Sequence, residues 1–301
     1  MPRLTAIVLG AAAGGGYPQW NCRCAVCRLV WEGDPRVTAR TQASVAVSAD
    51  GRHWTLLNAS PDLRTQIAAT PELHPAEPIR GSPVAAVVLT GAEIDQVAGL
   101  LNLRERHAFD LCATAATHAA LSASPMFDVL APDLVRRRTV ATATLFELPG
   151  GIEAEFFAVP GKVPLYMESQ STALTVAADE NVGVELRAGG ARLAYVPGAA
   201  ALDTALIARL AAADTLLFDA TLFEDDEMIR TGVGEKTGQR MGHMPIGGAG
   251  GSLAALATLT NRRIYIHINN TNPVLVTGSP ERRQVEAAGW EVAHDGLRIE
   301  V

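Results

Sequence analysis

The chain has 301 residues, 48% hydrophobic and 19% charged, a balance that supports a large buried core and leaves no long segment polar enough to stay disordered. Its 25 basic and 32 acidic side chains give a formal net charge of −7, which repels phosphate backbones and anionic lipids and argues against nucleic acid as a partner. No apolar run reaches the roughly 18 to 20 residues needed to cross a bilayer. Membrane insertion is therefore not expected, and one domain over residues 1–301 is the default for an α/β chain of this length.

The opening "MPRLTAIVLGAAAGGG" has the early charge and apolar stretch of a signal peptide, but its apolar core is short and suits a first strand ending in glycine. It is read as a strand, and the protein as cytoplasmic. The glycines of "GAAAGGG" at 10–16 lack both the Lys-Ser/Thr of a phosphate loop and the G-x-G-x-x-G spacing, so a tight loop is expected there. "QWNCRCAVC" then sets Cys22, Cys24 and Cys27 within six residues. Three thiolates so close in a reducing compartment suit a closed structural Zn²⁺ site better than a disulfide. The fourth ligand must come from elsewhere, and the most polar candidate stretch is "HINNTN", with His267, Asn269, Asn270 and Asn272.

Strand-like runs follow one another: "TAIVLG", "ASVAVS", "HWTLLN", "AAVVLT", "TATLFEL", "EAEFFAV", "ALTVAA", "RLAYVPG", "DTLLFDA" and "RRIYIHIN". Helical periodicity falls at 61–70, 93–105, 113–122, 201–212, 222–231, 248–260 and 280–288. Strands come in adjacent pairs in places and alternate singly with helices in others, which predicts two mixed sheets with helices outside. Ser279-Pro280-Glu281 should open the last helix with an N-cap and a first-turn proline. Asp295-Gly296 should turn a closing hairpin. The basic run Arg136-Arg137-Arg138 reads as a solvated helix end, and the glycines at 247–251 and "HPAEPIRGSP" at 74–83 as loops.

Chemistry concentrates at strand ends. The corner "TGAEIDQ" places Glu93 and Asp95 two residues apart, "DTLLFDAT" ends an apolar strand on Asp219, "RRIYIHIN" ends another on His267, and His243 lies in the loop "RMGHMP". Such groups at the ends of apolar strands are costly unless solvated, paired or metal-bound. Taken singly, each is explained by a cap or a satisfied loop; Asp219 and Thr221, for instance, suit the start of the following helix. Their joint pattern points to a site. His53, His74, His107, His118 and His294 lack that context, and the acidic "LFEDDEM" at 222–228 suits a solvated first helical turn.

With these residues in place the chain resembles the metallo-β-lactamase superfamily and, within it, the pyrroloquinoline quinone (PQQ) biosynthesis protein B family. The segments that carry the resemblance span the sequence: "VLGAAAGGGYPQWNCRCAVC", "ARTQASVAVS", "LNASPDLRTQ", "AEIDQVAGLLNLRE", "LFDATLFEDDEM", "HINNTNPVL" and "HDGLRIEV". The superfamily implies an αβ/βα sandwich with its site at one edge between two sheets. The corner at 90–96 resembles the superfamily's main metal loop, Asp219 its strand-end aspartate, His267 its last histidine, and the loop of His243 the family's "GH" loop. Gly91, Glu93 and Gln96 stand where the superfamily loop has histidines, and "FAVPGKVP" at 157–164 has none either.

The resemblance then implies a mononuclear site richer in oxygen, with Glu93, Asp95, Asp219 and His267 as metal residues. Asp95, His267 and His243 are the catalytic candidates, with His243 a ligand or proton carrier. Carboxylate-rich sites shift preference from a zinc hydrolase towards Fe²⁺ or Mn²⁺. The implied role is an iron-dependent hydroxylase acting with O₂ on the tyrosine ring of a Glu-Tyr-derived PQQ precursor. The cysteines, completed by Asn270 or a neighbour, would form the structural zinc site. The second expectation is a carrier of PQQ or its precursor that assists passage to the periplasm, and the third a hydrolase of the phosphodiesterase branch. Oligomeric state is left open, a homodimer included.

Overall fold

The structure, a computed structural model, describes residues 4–76, 79–162, 164–167 and 179–301. In the first half β1 (Thr5–Gly10) is followed by α1 (Ala25–Trp31), β2 (Ser44–Ser48), β3 (Trp54–Leu57), α2 (Leu63–Ala69), β4 (Val84–Val88), α3 (Ile94–Val97), β5 (Phe109–Ala113), α4 (Ala115–Ser122) and β6 (Val135–Thr139). These strands lie side by side in chain order, antiparallel from β1 to β3 and parallel from β3 to β6.

The second half runs β7 (Leu145–Leu148), β8 (Ile152–Ala158), β9 (Val182–Ala188), β10 (Ala191–Val196), α5 (Thr204–Ala211), β11 (Thr215–Asp219), α6 (Glu227–Arg230), α7 (Ser252–Ala255), β12 (Arg262–Ile266), α8 (Pro280–Ala287) and β13 (Trp290–Val292). It repeats the same plan, antiparallel from β7 to β10 and parallel from β10 to β13. Finally β14 (Arg298–Glu300) crosses back to pair antiparallel with β1.

The alternation of side chains along a strand sorts these residues into three layers of core. Val8, Val47, Val88, Phe156, Val184, Tyr195, Leu217 and Ile266 face one another between the sheets. Leu9, Leu56, Val87 and Leu111 turn outward under Leu63, Val97 and Leu121 of the first helical layer. Leu216, Phe218 and Tyr265 do the same under Leu206, Leu210 and Val285 of the second. Central strands buried on both faces need the near-continuous apolar runs seen in the sequence. Each fully buried Leu or Phe contributes roughly 1.5–3 kcal/mol. The expected αβ/βα sandwich of two mixed sheets with outer helices is therefore the architecture found.

Local signals placed several elements well. Ser279 caps α8 by accepting a hydrogen bond from the backbone N–H of Arg282 at 3.0 Å, with Pro280 in the first turn. Asp203 caps α5 through Leu206 N–H at 2.7 Å.

Other expectations fail. Arg136–Arg138 form the edge strand β6 and not a helix end, because Arg136 and Arg138 both grip Asp110 on β5, at 2.6–3.0 Å. Asp295-Gly296 does not turn a hairpin: β13 and β14 belong to different sheets. The Asp295 carboxylate instead accepts from Ala11 N–H and from the Thr41 N–H and hydroxyl, tying the crossing segment to the loop after β1. The helices expected at 222–231 and 248–260 shrink to α6 and α7, and that at 93–105 to α3 plus a 3₁₀ stretch over Ala98–Leu103. Strands β5 and β9 were not anticipated. The expected strand "ALTVAA" lies outside the described residues, as do parts of "HPAEPIRGSP" and "FAVPGKVP".

Candidate metal centre

Asp95, Asp219, His243 and His267 reach one edge of the sandwich from both halves of the chain. The first-half contribution is the corner between β4 and α3. Asn58, itself in the left-handed region at φ 61°, accepts a hydrogen bond from Thr90 N–H at 2.9 Å and donates to the Thr90 hydroxyl at 2.9 Å, pinning the corner. Gln96 reaches back to accept from Glu93 N–H at 3.2 Å, which starts the helix at Ile94 and presents Asp95 in its first turn. Gly99 lets the chain after α3 settle on the loop below, since a Cβ there would lie 2.1 Å from the Ser60 carbonyl oxygen.

The second-half contribution comes from the parallel strands. Asp219 ends β11 fully buried, and His267 follows β12 with φ at 60°, a left-handed conformation uncommon outside glycine. His243 arrives on the loop after α6 and stacks on His267, ring centroids 5.2 Å apart and planes 20° apart. Ligand atoms of Asp219, His243 and His267 all lie within 4.8 Å of one another. Asp95 stands on the other side of His267, its Oδ2 2.9 Å from Nε2.

The contacts around Asp219 are dense. Oδ1 accepts from Thr221 N–H at 3.0 Å and from the Thr221 hydroxyl at 2.7 Å; Oδ2 accepts from Ala199 N–H at 3.1 Å and faces His243 Nδ1 at 2.7 Å. Burial alone would push both carboxyls up. The charge and hydrogen bonds of His243 and His267 outweigh it for Asp219, and mainly those of His267 for Asp95, holding both below the usual carboxylate range. Burial likewise opposes charge on His267, but Asp219 and Asp95 on either side raise it to about 10. Without metal, these two carboxylates favour the imidazolium form of His267, with Asp95 Oδ2 2.9 Å from Nε2 and Asp219 Oδ1 3.8 Å from Nδ1.

Beside this group opens a cleft of about 630 Å³, lined among others by Gln19, Ile94, Lys162, Asn181, Met228 and Asn269. Glu93 does not join the cluster. Its carboxylate meets Lys162 Nζ at 2.9 Å, linking the corner to the segment after β8. A side chain at Gly91 would have to displace Gln96, since a Cβ there would lie 2.5 Å from Gln96 Oε1 and 3.1 Å from the Glu180 carbonyl oxygen. The corner has filled with Gln96 where histidines would enter.

The cysteines gather at the N-terminus of α1, where Cys24 Sγ accepts from Cys27 N–H at 3.4 Å. Asn270 covers them, its side-chain nitrogen 3.2 Å from Cys22 Sγ, 3.9 Å from Cys24 Sγ and 3.2 Å from Cys27 Sγ. Its backbone oxygen is 3.7 Å from Cys24 Sγ and 3.8 Å from Cys27 Sγ. The hydrogen bond from Cys27 lowers Cys24 to about 5, and that thiolate in turn raises Cys27. All four cysteines are free. Three sulfurs with an asparagine oxygen on the open side suit a closed four-coordinate site.

Two participants escaped the sequence reading. Thr221, read as a helix cap, turns its hydroxyl to Asp219, His243 and His267. The Glu93–Lys162 pair joins residues 69 apart, beyond any local pattern.

An αβ/βα sandwich with imidazole and carboxylate groups at the sheet edge defines the class: the family model for the beta-lactamase superfamily domain matches residues 53–268. The chain is 55% identical to the coenzyme PQQ synthesis protein B of Methylorubrum populi, over 98% of this chain and 99% of that protein. It superposes with TM-score 0.97 on the crystal structure of Zn(2+)-bound PqqB from Methylobacterium extorquens, at 54% identity, covering 99% of this chain and 100% of that one. A diphosphatase from the PhnP family shares the fold, with TM-score 0.70 and 23% identity over 99% of this chain and 97% of that one. The chain belongs to the coenzyme PQQ synthesis protein B family, whose name places its members in the making of that cofactor.

Proposed function

We propose that the protein serves PQQ synthesis as an iron-dependent oxygenase that hydroxylates the tyrosine ring of a Glu-Tyr-derived precursor, within a single domain working in the cytoplasm. The observation that carries this reading is a group of Asp219, His243 and His267 within 4.8 Å of one another beside a cleft, with Asp95 2.9 Å from the far nitrogen of His267, while Gln96 occupies the corner beside Gly91. Two histidines and a carboxylate with open positions is the donor set of ferrous oxygenases, whereas zinc hydrolases of this fold need the histidines that the corner lacks.

Iron bound there supplies the activation of O₂. In the overall reaction one oxygen atom replaces a ring hydrogen as hydroxyl, and the other leaves as water with two electrons and two protons from an added reductant. Asp95 and His267 hold the metal, His243 serves as ligand or proton carrier, and Asp219 orients both rings. Glu93 acts at the rim through Lys162. The cleft accommodates a dipeptide-sized molecule, with the Lys162–Glu93 pair at its rim. Cys22, Cys24 and Cys27, with Asn270, hold Zn²⁺ as a structural clamp; a closed thiolate site leaves no position for substrate. Among the described residues no helix is long and apolar enough to cross a membrane.

The test is anaerobic loading with Fe²⁺, then measurement of O₂ uptake on adding a Glu-Tyr dipeptide and reductant, with Asp95→Ala and His267→Ala alongside. Substrate-dependent uptake in the wild type, absent from both variants, supports the oxygenase. No uptake, with tight PQQ binding that survives both substitutions, supports a carrier instead.

A further inference from the structure

The hydrogens around Asp219 can be assigned by elimination. The Asp219 carboxylate has none to give, so the 2.7 Å contact from His243 Nδ1 to Oδ2 requires a hydrogen on that nitrogen. The 2.7 Å contact between the Thr221 hydroxyl and Oδ1 likewise requires the single hydroxyl hydrogen to point at the carboxylate. That hydrogen is then spent. His267 Nδ1, 2.8 Å from the same hydroxyl oxygen, must carry its own hydrogen and donate to it. Thr221 is 4% exposed, and its hydroxyl already has these protein partners within 3.0 Å.

We infer that Thr221 is a positioning residue that fixes which nitrogen of each histidine meets the metal: its hydroxyl, with Asp219, holds the hydrogens on both Nδ1 atoms and leaves both Nε2 atoms to bind the cation. His267 Nε2 already faces Asp95 Oδ2 at 2.9 Å, so these two groups would hold the metal together. Asp219 then acts as the outer carboxylate of a histidine–carboxylate pair and not as a direct ligand. This refines the metal centre proposed above and rests on that reading. The threonine's backbone fits the role, since Thr221 N–H binds Oδ1 at 3.0 Å and Thr221 accepts nothing as a helix cap.

The test is ring ¹⁵N NMR of histidine-labelled protein, metal-free and loaded with diamagnetic Zn²⁺, together with Zn²⁺ affinities of Thr221→Val and Thr221→Ser. The expected result is a hydrogen on Nδ1 of His243 and His267 in both states, with Zn²⁺ moving only the Nε2 signals. Thr221→Val should weaken affinity about 10- to 100-fold, and Thr221→Ser should restore it to within about threefold, whatever either does to melting temperature. A hydrogen on Nε2 with metal at Nδ1, which would put the cation among Asp219, His243 and His267, overturns the inference. So does unchanged affinity in Thr221→Val. Failure of the underlying reading looks different: Zn²⁺ would leave both rings unmoved and bind His267→Ala as well as wild type, while the Nδ1 hydrogens of the metal-free protein would still decide the role of Thr221.

Discussion

Replacing Asp219 by Asn should destabilise the metal-free protein far beyond what an isosteric change suggests. The carboxylate is fully buried and accepts on both oxygens: Thr221 N–H and hydroxyl on one, Ala199 N–H and His243 Nδ1–H on the other. An amide keeps one acceptor and turns an NH₂ towards donors, whichever way it is placed. It also removes one of the two carboxylates that hold His267 charged, leaving that ring with Asp95 alone. Breaking a buried ion pair by deleting one partner costs roughly 3–5 kcal/mol. With a urea slope of about 3 kcal/mol/M, the upper end for small proteins and reasonable for a longer chain, the midpoint should fall by roughly 1–1.7 M.

The assay is urea unfolding at pH 6 with a chelator, where His267, raised to about 10, is fully charged. The sign follows from linkage: the clamp contributes fully below the unfolded value near 6.5 and fades as pH rises through about 10. The loss caused by Asp219→Asn should therefore shrink as pH approaches 10. A midpoint shift below about 0.3 M at pH 6, or one independent of pH, would refute the picture of an imidazolium held between two carboxylates.

Three further outcomes follow from features around the site. Burial raises Glu227 to about 7 despite hydrogen bonds from Phe223 N–H and the Thr271 hydroxyl. The protein should accordingly lose about 3 kcal/mol between pH 4.5 and 7 that Glu227→Gln does not lose, and identical pH profiles for the two proteins would contradict this. Gly99→Ala should cost about 1–3 kcal/mol by overpacking, and by tilting α3 it should weaken Fe²⁺ binding as well as lower the melting temperature; an unchanged melting temperature would mean that the 2.1 Å clash with the Ser60 carbonyl oxygen relaxes freely. Cys24→Ser should release zinc from purified protein and lower thermal stability without abolishing Fe²⁺ binding at the other site. Full zinc retention by atomic absorption would rule out the cysteine cluster as the zinc clamp.

What the sequence made legible were features in which a residue's cost is local. Asp219 and His267 stand at the ends of apolar strands, where burying a charge demands a partner, and the Asp95 corner follows another such strand. Three cysteines within six residues announce a cluster by spacing alone. What stayed hidden depends on chain segments far apart. Thr221 looks like a cap until His243 and His267 fold against it, and Glu93 looks like a ligand until Lys162 takes its carboxylate. The three arginines read as helix-like polar residues because Asp110, which makes them an edge strand, lies 26 residues away. Asp295-Gly296 has hairpin chemistry, but β14 finds its partner in β1, at the other end of the chain.

The most direct measurement is a single turnover with isotopically heavy O₂. Protein loaded anaerobically with Fe²⁺ is mixed with the Glu-Tyr dipeptide, reductant and labelled gas, and the product is weighed by mass spectrometry. One heavy oxygen atom on the tyrosine ring, lost in Asp95→Ala and in His267→Ala, is the predicted result. Dipeptide recovered without label from the fully iron-loaded wild type would contradict the account.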